Sequence, residues 1–224
     1  MKILVVEDEM DLVQVTCNYL QKAEFICEHA MDFLSAEDKL VTYDYDIVVL
    51  DINLPGGNGL DLLKYIKKNK PRTGVLIVSA KNSLDDKLKG LDLGADDYIT
   101  KPFHLAELNS RINSLIRRRH YDGDQKITFN EIEIDPEAKS VKVLDKPVEL
   151  TKKEYHLLLY FVTNKGRVLT KESIAEHLWG DNADMLDNFD FIYTHMRNLR
   201  KKLSLLGCPD YLQTIYGLGY KFGD

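Results

Sequence analysis

Apolar runs and helical spacing alternate along the first half of the chain. Lys2-Ile3-Leu4-Val5-Val6 leads into Glu7-Asp8-Glu9, and Asp46-Ile47-Val48-Val49-Leu50 leads into Asp51. Val75-Leu76-Ile77-Val78 leads into Ser79, and Asp97-Tyr98-Ile99-Thr100 leads into Lys101. A shorter run lies near Cys27–Ala30. Continuous apolar runs rich in β-branched residues predict strands buried on both faces, as in a parallel sheet. Each run is followed by apolar residues at helical spacing: Leu12, Val15, Tyr19; Phe33, Leu34, Leu40; Leu60, Leu63, Ile66; Leu84, Leu88, Leu91; Leu105, Leu108, Ile112, Leu115. Five βα units in a row predict an α/β domain, a doubly wound five-stranded parallel sheet with helices on both faces. Ser35 and Ser83, each with Asp three residues on, read as helix starts.

The pattern changes after residue 119. Residues 120–126 are polar, contain Gly123 and read as a linker between a first domain, 1–119, and a second, 127–224. Ile127, Phe129, Ile132 and Ile134, then Val141 and Val143, alternate between Asp-Pro and Lys-Pro turns and predict short antiparallel strands. Thr151-Lys152-Lys153-Glu154 is a capping box. Thr170 starts a second helix closed by Trp179-Gly180, and a third runs from about Asn188 to Leu203. Ile192, Met196, Leu199 and Leu203 form its apolar stripe, and polar side chains cover its other faces. Tyr211 to Phe222 reads as two strands around a glycine turn.

Charge adds chemistry to the first domain. In a parallel sheet, ligands bind beyond the carboxyl ends of the strands where strand order reverses. Glu7, Asp8, Asp51, Ser79 and Lys101 all fall at that end. Any one of these acids alone reads as a cap on the following helix, but that does not account for the set. Clustered carboxylates repel, and a bound cation relieves them. Oxygen donors suit Mg²⁺. A lysine and a hydroxyl opposite would receive an incoming anion. Together these groups describe phosphoryl transfer, with an aspartate available as covalent acceptor.

Net charge is −6, so nothing global points to nucleic acid. The basic character is local: Arg197, Arg200, Lys201 and Lys202 crowd the apolar-backed third helix. A basic helix after a helix and a loop is the helix-turn-helix pattern, and it predicts double-stranded DNA as a partner. Cys17, Cys27 and Cys208 lack metal-ligand spacing and read as reduced thiols. No signal peptide or membrane-length apolar run is evident, which predicts a cytoplasmic protein.

Glu7-Asp8-Glu9, Asp51, Leu54-Pro55-Gly56-Gly57, Ser79-Ala80 and Gly94-Ala95-Asp96-Asp97-Tyr98-Ile99-Thr100-Lys101-Pro102-Phe103 resemble the receiver domain of bacterial response regulators. Leu178-Trp179-Gly180, Leu199-Arg200-Lys201-Lys202-Leu203 and the final hairpin resemble the winged-helix effector of the OmpR/PhoB family. The resemblance implies a flavodoxin/CheY-like receiver followed by an α+β winged helix-turn-helix domain. It implies that Asp51 takes a phosphoryl group from a sensor histidine kinase. Mg²⁺ would be held by Asp8 and Asp51, by the Asn53 carbonyl, and by Glu7 through water. Lys101 and Ser79 would bind phosphoryl oxygens, Tyr98 would swing inward as Ser79 moves, and the Lys101–Pro102 bond would be cis. Lys87, Asp96, Asp97, Glu107, Arg111 and Arg118 would pair across a receiver homodimer, as Lys87–Glu107, Asp97–Arg111 and Asp96–Arg118. Leu88 and Leu91 would supply its apolar centre.

In the effector, base reading falls to Tyr193, Thr194, Arg197 and Asn198, and His195 reads either as a base contact or as a packing histidine. Arg200, Lys201, Lys202 and Lys221 would anchor phosphates. Tyr216 stands at the wing position where many relatives carry an arginine. The loop from Asp181 to Asp187 would be available to RNA polymerase. Dimerisation would bring two effectors onto tandem half-sites. The reading is a regulator of transcription and not an enzyme. A haloacid-dehalogenase-like phosphohydrolase is disfavoured, because it needs an acid two residues after the first and position 53 is Asn53. A regulator indifferent to phosphorylation is disfavoured by the intact set Asp8, Asp51, Ser79 and Lys101.

Overall fold

A computed structural model describes residues 1–80, 84–120, 126–180 and 189–223, without the side chains of 84–87 and 120. Its contacts divide the chain into two units, Met1–Arg119 and His120–Asp224.

The first unit carries strands β1 (Lys2–Val6), β2 (Ile26–Ala30), β3 (Ile47–Asp51), the short β4 (Asn53–Leu54) and β5 (Gly57–Asn58), β6 (Gly74–Ala80) and β7 (Asp97–Lys101). The helices are α1 (Met10–Lys22), α2 (Phe33–Thr42), α3 (Gly59–Asn69), α4 (Leu84–Asp92) and α5 (Leu105–His120). The five long strands pair in parallel in the order β2-β1-β3-β6-β7. Every residue of β1 and β3 is buried, as continuous apolar runs require when helices cover both faces. Strand order reverses at β1 and β3, so Glu7, Asp8 and Asp51 flank the crevice where such folds bind ligands.

One predicted helix start shifts. Asp32, not Ser35, caps α2: its side chain accepts the Ser35 backbone N–H at 2.8 Å. The Ser35 hydroxyl instead donates to the Asp32 carbonyl at 3.2 Å. Aspartate is as good a cap as serine, and Asp32 already stands in extended backbone before the helix. Ser83 lies outside the described residues.

The second unit opens with an antiparallel sheet, β8 (Ile127–Phe129), β9 (Ile132–Asp135), β10 (Ser140–Val143) and β11 (Lys146–Val148). Three helices follow: α6 (Lys152–Thr163), α7 (Lys171–Trp179) and α8 (Asp190–Ser204). Strand β12 (Val168–Leu169) joins the terminal hairpin β13 (Leu212–Ile215) and β14 (Gly219–Phe222) in a sheet ordered β12-β14-β13. The sequence pattern anticipated the hairpin but not β12, whose two residues are too few to show a period. Gly219 makes the close approach: a Cβ there would overlap the Leu169 carbonyl, and its φ of +143° suits only glycine. Thr151 and Glu154 form the expected capping box, and Thr170 caps α7. This is the winged helix-turn-helix arrangement, with α8 as its recognition helix.

Candidate phosphoryl-transfer site and nucleic-acid interface

Three carboxylates gather at the carboxyl ends of β1 and β3. Oxygens of Glu7, Asp8 and Asp51 lie within 4.8 Å of one another. Glu7 and Asp51 are buried, each 4 % exposed, while Asp8 faces solvent. Lys101, at the end of β7, places its Nζ 2.6 Å from the Glu7 carboxylate and 2.5 Å from Asp51 Oδ2. Asp51 Oδ1 accepts the Asn53 backbone N–H at 2.9 Å, which orients the carboxylate. Burial pushes the Glu7 carboxyl above its usual range; Lys101 opposes this and Asp51 adds to it. Burial alone would lower Lys101, but its bonds to Asp51 and Glu7 outweigh that and raise it. Among the described residues, Lys101 therefore pairs with two of the three carboxylates, Glu7 and Asp51, and the acids offer only oxygen atoms to the cluster. That donor set suits a hard divalent cation rather than a soft one.

The surrounding chain holds this geometry. Gly59 starts α3 directly against β3, and any Cβ there would overlap the Asp51 carbonyl. The sequence gives no period or motif that marks Gly59 for this role. Ser79 is fully buried on β6, beside Thr100 of β7. Tyr98 is 7 % exposed and belongs to the buried cluster that includes Leu50, Leu60 and Ile77, so it already lies inward. The Lys101–Pro102 peptide bond is cis.

On the face formed by α4, β7 and α5, Leu88 and Leu91 stand exposed at 53 % and 41 %. Arg111 donates to both Asp97 oxygens at 3.1 Å and to Glu107 at 2.9 Å within the same receiver. Both Asp96 oxygens are engaged inside the domain, by Arg119 at 2.5 Å and Lys67 at 2.7 Å. Arg118 donates to the Asp96 backbone carbonyl at 3.5 Å. The Lys87 side chain lies outside the described residues.

In the effector, Ile192, Met196, Leu199 and Leu203 are buried and seat α8 in the domain. Tyr193, Thr194, Arg197 and Lys201 are exposed, and Asn198 is half-buried. His195 packs beside Trp179, ring centroids 5.9 Å apart, and burial lowers its pKa. Two basic residues of α8 are occupied internally. Arg200 donates to Asp210 at 3.2 Å and to the Leu212 carbonyl. Lys202 bonds Glu154 at 2.7 Å, tying α8 to the capping box of α6. Tyr216 is 94 % exposed at the wing tip, and Lys221 is half-buried on β14. Lys171, at the start of α7, lies over the Tyr193 ring at 5.1 Å. It adds a cation beside the recognition helix that periodicity alone did not single out. The loop from Asp181 to Asp187 lies outside the described residues.

A receiver-type acidic pocket followed by a winged helix defines a response regulator with a DNA-binding output. Comparison with known proteins agrees. Residues 3–113 match the response regulator receiver domain, and residues 145–222 match the C-terminal domain of transcriptional regulatory proteins. The transcriptional regulatory protein CiaR of Streptococcus pneumoniae is 37 % identical over 226 residues, covering 100 % of this chain and 98 % of CiaR. The response regulator ArlR of Staphylococcus haemolyticus is 36 % identical over 220 residues, covering 97 % of each chain. The crystal structure of a two-component response regulator from Clostridium difficile matches with a TM-score of 0.50 at 27 % identity, over 53 % of this chain and 97 % of that one. The chain belongs to the OmpR/PhoB family of two-component response regulators. It is a transcription regulator that binds DNA and works with a histidine kinase, not a catalytic enzyme. Among the described residues, no helix is long and apolar enough to cross a membrane.

Proposed function

We propose that Asp51 is the phosphoacceptor and that its esterification controls pairing of the receivers. The carrying observation is the cluster of Glu7, Asp8 and Asp51, with the Lys101 ammonium bonded to Glu7 and Asp51. An Asp51 oxygen attacks the phosphorus of the kinase phosphohistidine, the P–N bond breaks, and its electron pair returns to the imidazole. Glu7, Asp8 and Asp51, with the Asn53 carbonyl, would hold Mg²⁺, which when bound neutralises charge on the transferring group. Lys101 neutralises one phosphoryl oxygen of the product. Ser79 donates to another, and its shift fixes Tyr98 in the buried position.

The readout is the face with Leu88, Leu91, Asp97, Glu107 and Arg111. Arg111 exchanges its present intramolecular partners for those of a second receiver, with Lys87 and Glu107 as a further pair. Asp96 and Arg118 join only where Lys67 and Arg119 release the Asp96 carboxylate. The dimer places two α8 helices on tandem half-sites about one helical turn, ~10 bp, apart. Tyr193, Thr194, Arg197 and Asn198 meet base edges. Lys201 and Lys221 meet phosphates, Tyr216 meets the backbone from the wing, and RNA polymerase meets the loop before α8. The domains are a receiver over 1–119, a linker over 120–126 and an effector over 127–224, all acting in the cytoplasm.

Beryllofluoride mimics the esterified aspartate and gives the test. With Mg²⁺ and beryllofluoride, the full chain is expected to dimerise and to bind its operator more tightly. No change in either sedimentation or operator affinity would overturn the proposal.

A further inference from the structure

Two cysteines of the receiver meet across ten residues of sequence. Cys17 lies on α1 and Cys27 on β2, with their Sγ atoms 3.0 Å apart. A disulfide bond is about 2.0 Å long, so roughly 1 Å of approach separates this pair from a bond. The fold, rather than a loop, brings them together. Buried Val13 and Leu20 seat α1, and β2 pairs with β1 in a register that sets Cys27 opposite Ile3.

The two thiols differ. Cys27 donates its proton toward Cys17, and this hydrogen bond holds Cys17 below the ordinary thiol range. The same bond, with burial, holds Cys27 above it. The hydrogen bond from Cys27 favours thiolate, the reactive form, on Cys17. Cys17 is buried and Cys27 half-buried, so a small oxidant reaches the joint from the Cys27 side. Cys208 is a natural control: it is buried in the other domain, and burial pushes it up to about 11.

We propose that Cys17 and Cys27 are a redox modification site, closing reversibly to a disulfide that staples α1 to β2 when the chain meets hydrogen peroxide. The Cys17 thiolate attacks one peroxide oxygen, the O–O bond breaks, and the leaving hydroxide takes up the proton that the Cys17 thiol released on ionising, leaving as water. Cys17 is then a sulfenic acid. The Cys27 sulfur attacks the Cys17 sulfur; the S–S bond forms, the S–O bond breaks, and water leaves with the Cys27 proton. Two electrons pass from the sulfurs to the peroxide. A dithiol reductant reverses the step by exchange.

The purified full chain is treated with hydrogen peroxide, quenched with catalase, alkylated with iodoacetamide and mapped by mass spectrometry. The expected result is a linked peptide pair joining Cys17 to Cys27, with Cys208 still alkylated and the link lost after dithiothreitol. Cys27→Ser is expected to stop at a sulfenic acid on Cys17 that dimedone traps. Oxidised wild type is expected to melt higher than reduced, and neither Cys17→Ser nor Cys27→Ser is expected to show that rise. The proposal is overturned if all three cysteines stay alkylatable, if the link runs through Cys208, or if Cys17 passes to sulfinic acid with no linked peptide. The wild-type peptide map decides the matter even where a serine variant fails to fold.

Discussion

Glu7 and Glu28 are glutamates of one domain, on or beside neighbouring strands, each 4 % exposed. Their surroundings treat them in opposite ways. Glu28 meets Lys2 at 2.9 Å, Lys39 at 3.4 Å and the Tyr45 hydroxyl at 2.6 Å. Burial pushes its carboxyl up, but these partners outweigh burial and leave it below the usual range. Lys2 in turn sits 4.6 Å from the ring centroids of both Tyr43 and Tyr45. Glu7 has a share of Lys101, which Asp51 also claims, and a long bond from the Glu9 backbone N–H at 3.4 Å, and its carboxyl stays raised. A buried charge met by two ammonium groups and a hydroxyl is packing. A buried charge left in excess is a place for something to bind.

Breaking a buried ion pair by removing one partner costs about 3–5 kcal/mol, because the other charge stays buried. Glu28→Gln is expected to cost that much in urea unfolding, since Lys2 is only 1 % exposed. Glu7→Gln is expected to stay within about 1 kcal/mol of wild type, because Lys101 keeps Asp51 and a like-charge neighbour disappears. Equal costs for the two variants would break the comparison. The pH dependence sharpens it. Glu28 has its folded value below the ordinary 4.5, so its contribution is present above 4.5 and lost as pH falls through the folded value. In Glu28→Gln the part of the acid loss that belongs to this window is expected to vanish.

The effector offers the same contrast at smaller scale. Arg197 is exposed on α8, whereas Arg200 is tied to Asp210 and Leu212. Arg197→Ala is expected to cost about 1–3 kcal/mol of operator discrimination with unfolding unchanged. Arg200→Ala is expected to lose about 1–3 kcal/mol of folding stability through its unpaired partners. A footprint that is unchanged in the first variant and relaxed in the second would reverse the two roles.

These contrasts mark what sequence reading reaches. Apolar runs ending in Glu7, Asp51, Ser79 and Lys101 were legible because strand period and strand end are local. So were the Thr151–Glu154 capping box and the Ile192-to-Leu203 stripe. Arg200 and Lys202 share one basic face with Lys201 in the sequence, which does not show their intramolecular partners because these are remote: Glu154 lies 48 residues from Lys202. The Glu28 network and the Cys17–Cys27 contact were hidden for the same reason. Asp32 is masked as a cap in the sequence because the Ser-x-x-Asp spacing points three residues later.

The smallest effect belongs to the receiver face. Glu107→Ala removes one exposed partner of Arg111, and it is expected to change association of the beryllofluoride-treated chain by no more than about 1 kcal/mol. A larger loss would make this pair a principal hold on the dimer rather than a selector of register.

The most direct test concerns Asp51 itself. The purified chain is incubated with Mg²⁺ and radiolabelled acetyl phosphate, beside Asp51→Asn, and protein-bound label is counted. Label on the wild type and none on the variant is the expected result. Equal label on both would place the acceptor elsewhere and contradict the account.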